Sequence, residues 1–157
     1  MKGLKIERIR SLEQLLRWRA EVLKAVFGET ASADLLKANA RYYDYHNADG
    51  SHIALEALVP GADGGKPEAI GCGGVCFYEE LPSPDNPTGR CAYIMNLYVR
   101  ECMRHSGVGG DLLKALVDLA KFRGCGRIML ETTPMARAFY KNLGFIDAGD
   151  YLIYKGE

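Results

Sequence analysis

The sequence predicts an α/β (α+β) domain in which one central mixed sheet is flanked by about four helices. Three observations lead there. Short runs with a period of two recur through the first two thirds, and two stretches with helical period stand between the first and second of them. The last third then alternates helix, strand, helix and strand, so a crossover helix joins two parallel strands.

Leu4, Ile6 and the alternation through Arg10 read as a first strand. Ser11 opens a helix with Gln14 three residues on, a capping-box pattern, and Leu12, Leu15, Leu16, Val22, Leu23, Val26 and Phe27 supply its apolar face. Gly28 is placed to close it in a left-handed cap. A second helix is expected over 32–46, marked by Leu35, Leu36, Tyr42 and Tyr43, with Asn47, Asp49 and Gly50 turning the chain out. Strands over 52–59, 69–79 and 90–99 follow, separated by 60–65 and by the proline-rich 82–88, and their short connections imply an antiparallel meander. The remainder reads as a helix over 107–123, a strand over 127–132, a helix over 134–143 and a final strand over 151–154.

The 157 residues, 48% of them apolar, suit one domain spanning 1–157 with a core that needs no disulfide or metal. Twenty basic residues balance twenty acidic ones without forming runs, which argues against nucleic acid and membrane surfaces as partners. With no apolar signal core and no apolar span near twenty residues, a cytoplasmic protein is expected. Cys72, Cys76, Cys91, Cys102 and Cys125 contain no C-x-x-C pair and read as reduced, mostly buried thiols. A metal site from Cys72, Cys76 and one of His46, His52 or His105 matches no common zinc spacing, so no metal is expected.

The sharpest local signal is the run from Arg104 through His105, Ser106, Gly107, Val108, Gly109 and Gly110 to Leu113, between a strand and an amphipathic helix. A helix start leaves N–H groups unpaired and carries the positive end of the macrodipole, glycines let an anion come close, and Arg104 can add a bidentate contact. A pyrophosphate cradle and a merely tight turn are the two readings of the glycines. The run is not a Walker loop, since no lysine follows the last glycine, nor the dinucleotide G-x-G-x-x-G of a first strand. Gly71-Cys72-Gly73-Gly74 falls inside a strand and marks a bulge or a close backbone approach.

Arg104-x-x-Gly107-x-Gly109, preceded by Leu97-Tyr98-Val99 and followed by Leu112 and Leu113, resembles the (Gln/Arg)-x-x-Gly-x-(Gly/Ala) motif of the GNAT superfamily of N-acetyltransferases. Downstream, Ala136-x-x-Phe139-Tyr140-Lys141-Asn142-Leu143-Gly144-Phe145 is similar to that family's A-x-x-(Leu/Phe)-Tyr-x-x-x-Gly-Phe segment. The resemblance implies a six- or seven-stranded sheet that splays between the strand ending at Val99 and the strand over 128–132. It also implies acetyl-CoA as co-substrate, its pantetheine in the split against backbone groups of Leu97 and Val99. Arg104 and the amides from His105 to Gly110 would then hold the pyrophosphate, with Thr133 and Ala136 completing the cofactor site.

By the same resemblance a backbone N–H near Leu97 or Tyr98 stabilises the oxyanion and Tyr140 protonates the departing thiolate. Thr133 stands where the family often has Asn, and its place before Pro134 also suits a helix N-cap. The general base is not evident, because Tyr93 occupies the place of the Glu many relatives carry; Glu79, Glu80, or water relayed through Asn96 or Tyr98 are the candidates. The expected reaction is acetyl transfer to a primary amine of a small molecule or peptide. A non-catalytic acyl-CoA sensor and the use of another acyl-CoA are the alternatives. Tyr42, Tyr43, Tyr45 and His46 are candidates for an acceptor pocket, and a homodimer is a further expectation from the family.

Overall fold

The structure, a computed structural model, describes residues 3–149, 151–152 and 154. Five strands, β1 (Lys5–Ile9), β2 (His52–Val59), β3 (Glu68–Glu79), β4 (Arg90–Val99) and β5 (Arg127–Leu130), form one sheet in chain order. The first four are antiparallel and β5 runs parallel to β4. Helices α1 (Leu12–Phe27), α2 (Ala33–Asp49), α3 (Val108–Phe122) and α4 (Arg137–Asn142) complete the fold.

The helix ends follow from their caps. Ser11 Oγ accepts from the Gln14 N–H at 3.4 Å, and Gly28 closes α1 at φ 72°. The capping box is only half made, since Gln14 Nε2 donates instead to Glu56 Oε1 at 2.7 Å. Ser32 caps α2 on the Leu35 N–H at 3.2 Å. That helix runs past its expected end to Asp49, because only Gly50, at φ 77°, takes the left-handed conformation that stops it.

Alternation along β2 divides the core. Ala54, with Ile9, Leu15, Trp18, Val22, Tyr43 and Cys72, packs beneath α1 and α2. Ile53 and Leu55 face the other way, onto Val108, Leu112, Leu113 and Leu116 of α3. Glu56 is buried on the α1 side and held by Trp18 Nε1 at 3.1 Å as well as by Gln14.

The sheet has five strands among the described residues, not six or seven. Residues Tyr151, Leu152 and Tyr154 of the expected last strand are not in strand conformation, and Ile153 lies outside the described residues. Asp147 is bonded to both Arg137 and Lys141, which ties the segment after Phe145 to α4, while further on the Tyr151 hydroxyl meets Arg127 and Met129 of β5 through side chains and not through strand pairing. The strand expected over 127–132 stops at Leu130. The helix expected over 134–143 begins only at Arg137, since Thr133 first closes a turn by accepting from Ala136 and Arg137. Among the described residues no helix is long and apolar enough to cross a membrane.

His52, 1% exposed, shares a 3.0 Å hydrogen bond with Tyr42 and turns Nε2 towards Gly74, where a Cβ would stand only 2.9 Å away. Burial lowers its pKa from 6.5 to about 4, the cations of His46 and Arg8 adding to the effect. Between those two values the unfolded chain takes up a proton that the folded chain refuses. Stability is therefore full above about pH 6.5 and falls as pH drops towards 4, by up to about 3 kcal/mol. Thermal unfolding between pH 7 and 4.5 should show this slope, flattened in His52→Gln; an equal slope in the variant would refute the assignment.

Candidate active site

Pairing between β4 and β5 runs from Cys91↔Arg127 to Ile94↔Leu130 and then ends, while β4 continues to Val99. On its other side β4 carries a bulge: Cys72 faces Tyr98 and Gly74 faces Met95, so Asn96 and Leu97 together oppose Gly73. Asn96 sits there at φ 57°, a left-handed conformation that few side chains adopt. The bulge lies opposite the Gly71–Gly74 run, in β4 and not within the run itself, and close approach explains the glycine at 73, where a Cβ would lie 2.8 Å from Leu116 Cδ1.

Arg100 N–H donates to the Ile70 carbonyl at 3.0 Å, so by strand alternation Val99 turns its own N–H and C=O into the split. Leu97, two residues earlier, presents its backbone on the same side. Arg104 Nε donates to the Val99 carbonyl at 3.3 Å, which draws the guanidinium to the mouth of the split.

The chain then passes a single 3-10 turn over Glu101–Met103 and enters α3 through His105 at φ 61° and Gly107 at φ 90°. No side chain caps this helix. Among the described residues no protein group accepts from the N–H of His105, Ser106, Gly107, Val108, Gly109 or Gly110; the helical ladder starts only with Asp111 N–H to Gly107 O at 3.1 Å. Six consecutive donors at a helix start, with Arg104 beside them, make a site suited to an anion. A Cβ on Gly109 would meet Phe139 Cζ at 3.4 Å and Val99 Cγ2 at 3.6 Å, ordinary contact distances, which places this glycine between β4 and α4.

Tyr140 of α4 packs its ring between Phe139 and Phe145, with centroids at 5.1 and 6.0 Å, against the α3-side core. Burial raises the pKa of its phenol, which keeps it protonated. Ala136 starts the helix below it, and Thr133 Oγ1 accepts from the Ala136 N–H at 3.3 Å, so the threonine serves as a local cap.

The opposite face of the split carries other groups. Tyr93 pairs in register with Cys76 and Met129, which puts it on the face covered further along by α1 and α2. Glu131, two residues beyond Met129, shares that face by alternation, and its charge acts on the Tyr93 phenol. Burial, then Glu131, pushes the Tyr93 phenol up to about 12.

Glu131 was not singled out by sequence reasoning. Its signal is a charged residue that breaks the apolar run Ile128-Met129-Leu130 where the strand ends. Glu79 and Glu80 sit at the far end of the β3–β4 ladder, opposite Arg90, and Glu80 is bound by Arg127 and Asn86. The Asn96 carboxamide turns under the sheet, accepting from Arg19 Nη1 at 2.7 Å, and Tyr98 packs edge-on against Trp18 at 6.3 Å. Of the aromatic candidates, Tyr43 is core, Tyr42 is engaged with His52, and Tyr45 is exposed.

The model of the Acetyltransferase (GNAT) family matches residues 12–145. A protein of Oryza sativa subsp. japonica named "Probable glucosamine 6-phosphate N-acetyltransferase 2" is 31% identical over 98 residues, 62% of this chain and 56% of that protein. A second, "Glucosamine 6-phosphate N-acetyltransferase 1" from the same source, is 30% identical over 59 residues, 38% of this chain and 36% of its own length. The chain thus spans about half or less of the curated relatives it matches. Among solved structures, a predicted acetyltransferase of Clostridium acetobutylicum, determined with acetyl-CoA, superposes with TM-score 0.80 at 23% identity, covering 97% of this chain and 96% of the other. The glucosamine-6-phosphate N-acetyltransferase of Arabidopsis thaliana gives 0.73 at 16% identity over 99% and 100%. The split beyond Ile94, the uncapped glycine turn and the tyrosine of α4 all lie inside the matched residues, and the chain belongs to the acetyltransferase (GNAT) family.

Proposed function

We propose that the chain moves an acetyl group from acetyl-CoA to a primary amine by direct attack, with no acetylated enzyme between. The observation that carries this reading is the row of six unpartnered amides at 105–110, continuous with the N–H groups of Leu97 and Val99 beyond the β4–β5 pairing. A pyrophosphate fits the first and the amides of a pantetheine arm fit the second. Arg104 adds a charge at the junction.

In this scheme the amine nitrogen forms a bond to the thioester carbon, and the Leu97 N–H donates to the carbonyl oxygen as negative charge gathers there. Glu131 receives the proton the amine loses, directly or through one water. Tyr140 gives its hydroxyl proton to the sulfur as the carbon–sulfur bond breaks. Asn96 shapes the bulge that presents the Leu97 N–H. Glucosamine 6-phosphate is the acceptor to try first, because two relatives carry it in their names; a peptide amine is the second.

Calorimetry with acetyl-CoA tests the cofactor half of this reading. Wild type should bind at micromolar concentration, and Arg104→Ala combined with Gly109→Leu should weaken binding at least ten-fold with the melting temperature little changed. No binding by wild type would end the proposal. Turnover across a panel of amines then ranks acceptors.

A further inference from the structure

We infer that Arg19 is a positioning residue for acetyl transfer: it locks the β4 bulge and links that bulge to the helix pair α1 and α2. The inference rests on the proposed role of the Leu97 N–H. Arg19 lies in α1, half-buried, and spends its donors on two neutral acceptors, Asn39 Oδ1 of α2 at 3.1 Å and Asn96 Oδ1 of β4 at 2.7 Å. Among the described residues it is in no ion pair, and no other residue hydrogen-bonds to both α2 and β4.

Each end of this bridge is itself fixed. Asn39 Nδ2 donates to the Leu35 carbonyl at 2.7 Å, so its carboxamide is rigid on the helix surface. Asn96 holds φ 57°, and its backbone carbonyl accepts from Cys72 Sγ at 3.5 Å. A left-handed non-glycine residue persists only where its surroundings over-determine it. Here those surroundings are the Arg19 guanidinium on its side chain and the Cys72 thiol on its backbone carbonyl. The next backbone N–H is that of Leu97, whose direction depends on the bulge.

A guanidinium is planar and carries its donors in a fixed fork, so it can hold two carboxamides on different elements at once; an ammonium cannot reproduce that geometry. Displacement of α2 on binding an acceptor would therefore reach the bulge through one side chain. A tie that merely stabilised α1 against α2 would have no need of Asn96.

Two measurements test this on the intact protein. In the unliganded protein, Arg19→Gln should quicken amide hydrogen exchange at 96–98 at least ten-fold relative to the core of α3, with Arg19→Lys intermediate and both variants folded by melting temperature. With acetyl-CoA carrying a ¹³C carbonyl, the infrared carbonyl band should shift to lower wavenumber on binding to wild type, and at least half of that shift should be lost in Arg19→Gln. In an Asn96→Gly background the Arg19 substitution should add nothing further to either readout. Unchanged exchange, or faster exchange with an unchanged carbonyl band, overturns the inference. A wild type that fails to bind acetyl-CoA overturns the proposed function instead, and exchange in the unliganded protein still decides whether Arg19 holds the bulge.

Discussion

Replacing Tyr140 with Phe lowers kcat by about two to three orders of magnitude and leaves acetyl-CoA affinity within about two-fold. The ring sits between Phe139 and Phe145, so phenylalanine preserves the packing and deletes only the hydroxyl. That hydroxyl has no protein partner among the described residues, and burial holds its pKa above the ordinary phenol value, so in the proposed scheme it serves as a neutral donor. A thiolate leaving group without a proton donor must be expelled as the anion, which is where the rate is lost. The sign of the pH effect follows: the high-pH fall in rate due to ionising Tyr140 should lie above the ordinary phenol range in wild type and vanish in the variant. Steady-state kinetics with calorimetry on the same preparations checks both parts. A loss of less than three-fold, or a loss matched by weaker binding, would remove Tyr140 from the proton transfer.

The residues proposed to hold the cofactor's pyrophosphate and pantetheine, 97–110, are contiguous in the sequence, which is why sequence reasoning could nominate them together. β2 and β4 begin and end where Pro60, the 82–88 loop and the change of period place them, and the glycine turn at 104–110 feeds α3 as expected. The chain after Leu130 was less legible, since its course is set by side-chain attachments: Asp147 on Arg137 and Lys141, and the Tyr151 hydroxyl on Arg127 and Met129. The side of β4 that faces α1 and α2 was not legible at all in its essentials. Arg19 and Asn96 are 77 residues apart, and neither helical periodicity nor strand alternation says that they meet. The positive φ of Asn96 was hidden for a similar reason, because the bulge is fixed by a neighbouring strand and a helix rather than by its own residue type.

Glu131 lies on that less legible side, and Glu131→Gln is expected to lower kcat/KM for an amine acceptor about a hundred-fold near pH 7. The carboxylate is exposed, at the end of β5 where the sheet opens, so the amide substitution should leave the melting temperature unchanged. Its neighbour Tyr93, with a pKa pushed up to about 12, stays a neutral donor throughout the working range and cannot take the proton in its place. An amine arrives mostly as ammonium at neutral pH and must shed a proton to become a nucleophile. Solvent removes that proton unaided as pH approaches the amine's own pKa, so the deficit of the variant shrinks with rising pH. A Glu131 that only oriented the acceptor would give a deficit that does not vary with pH and appears mainly in KM. Profiles of kcat and kcat/KM from pH 6 to 10 for wild type and Glu131→Gln separate these cases. Parallel profiles would leave Glu131 as an acceptor-binding group and assign the proton to bulk water.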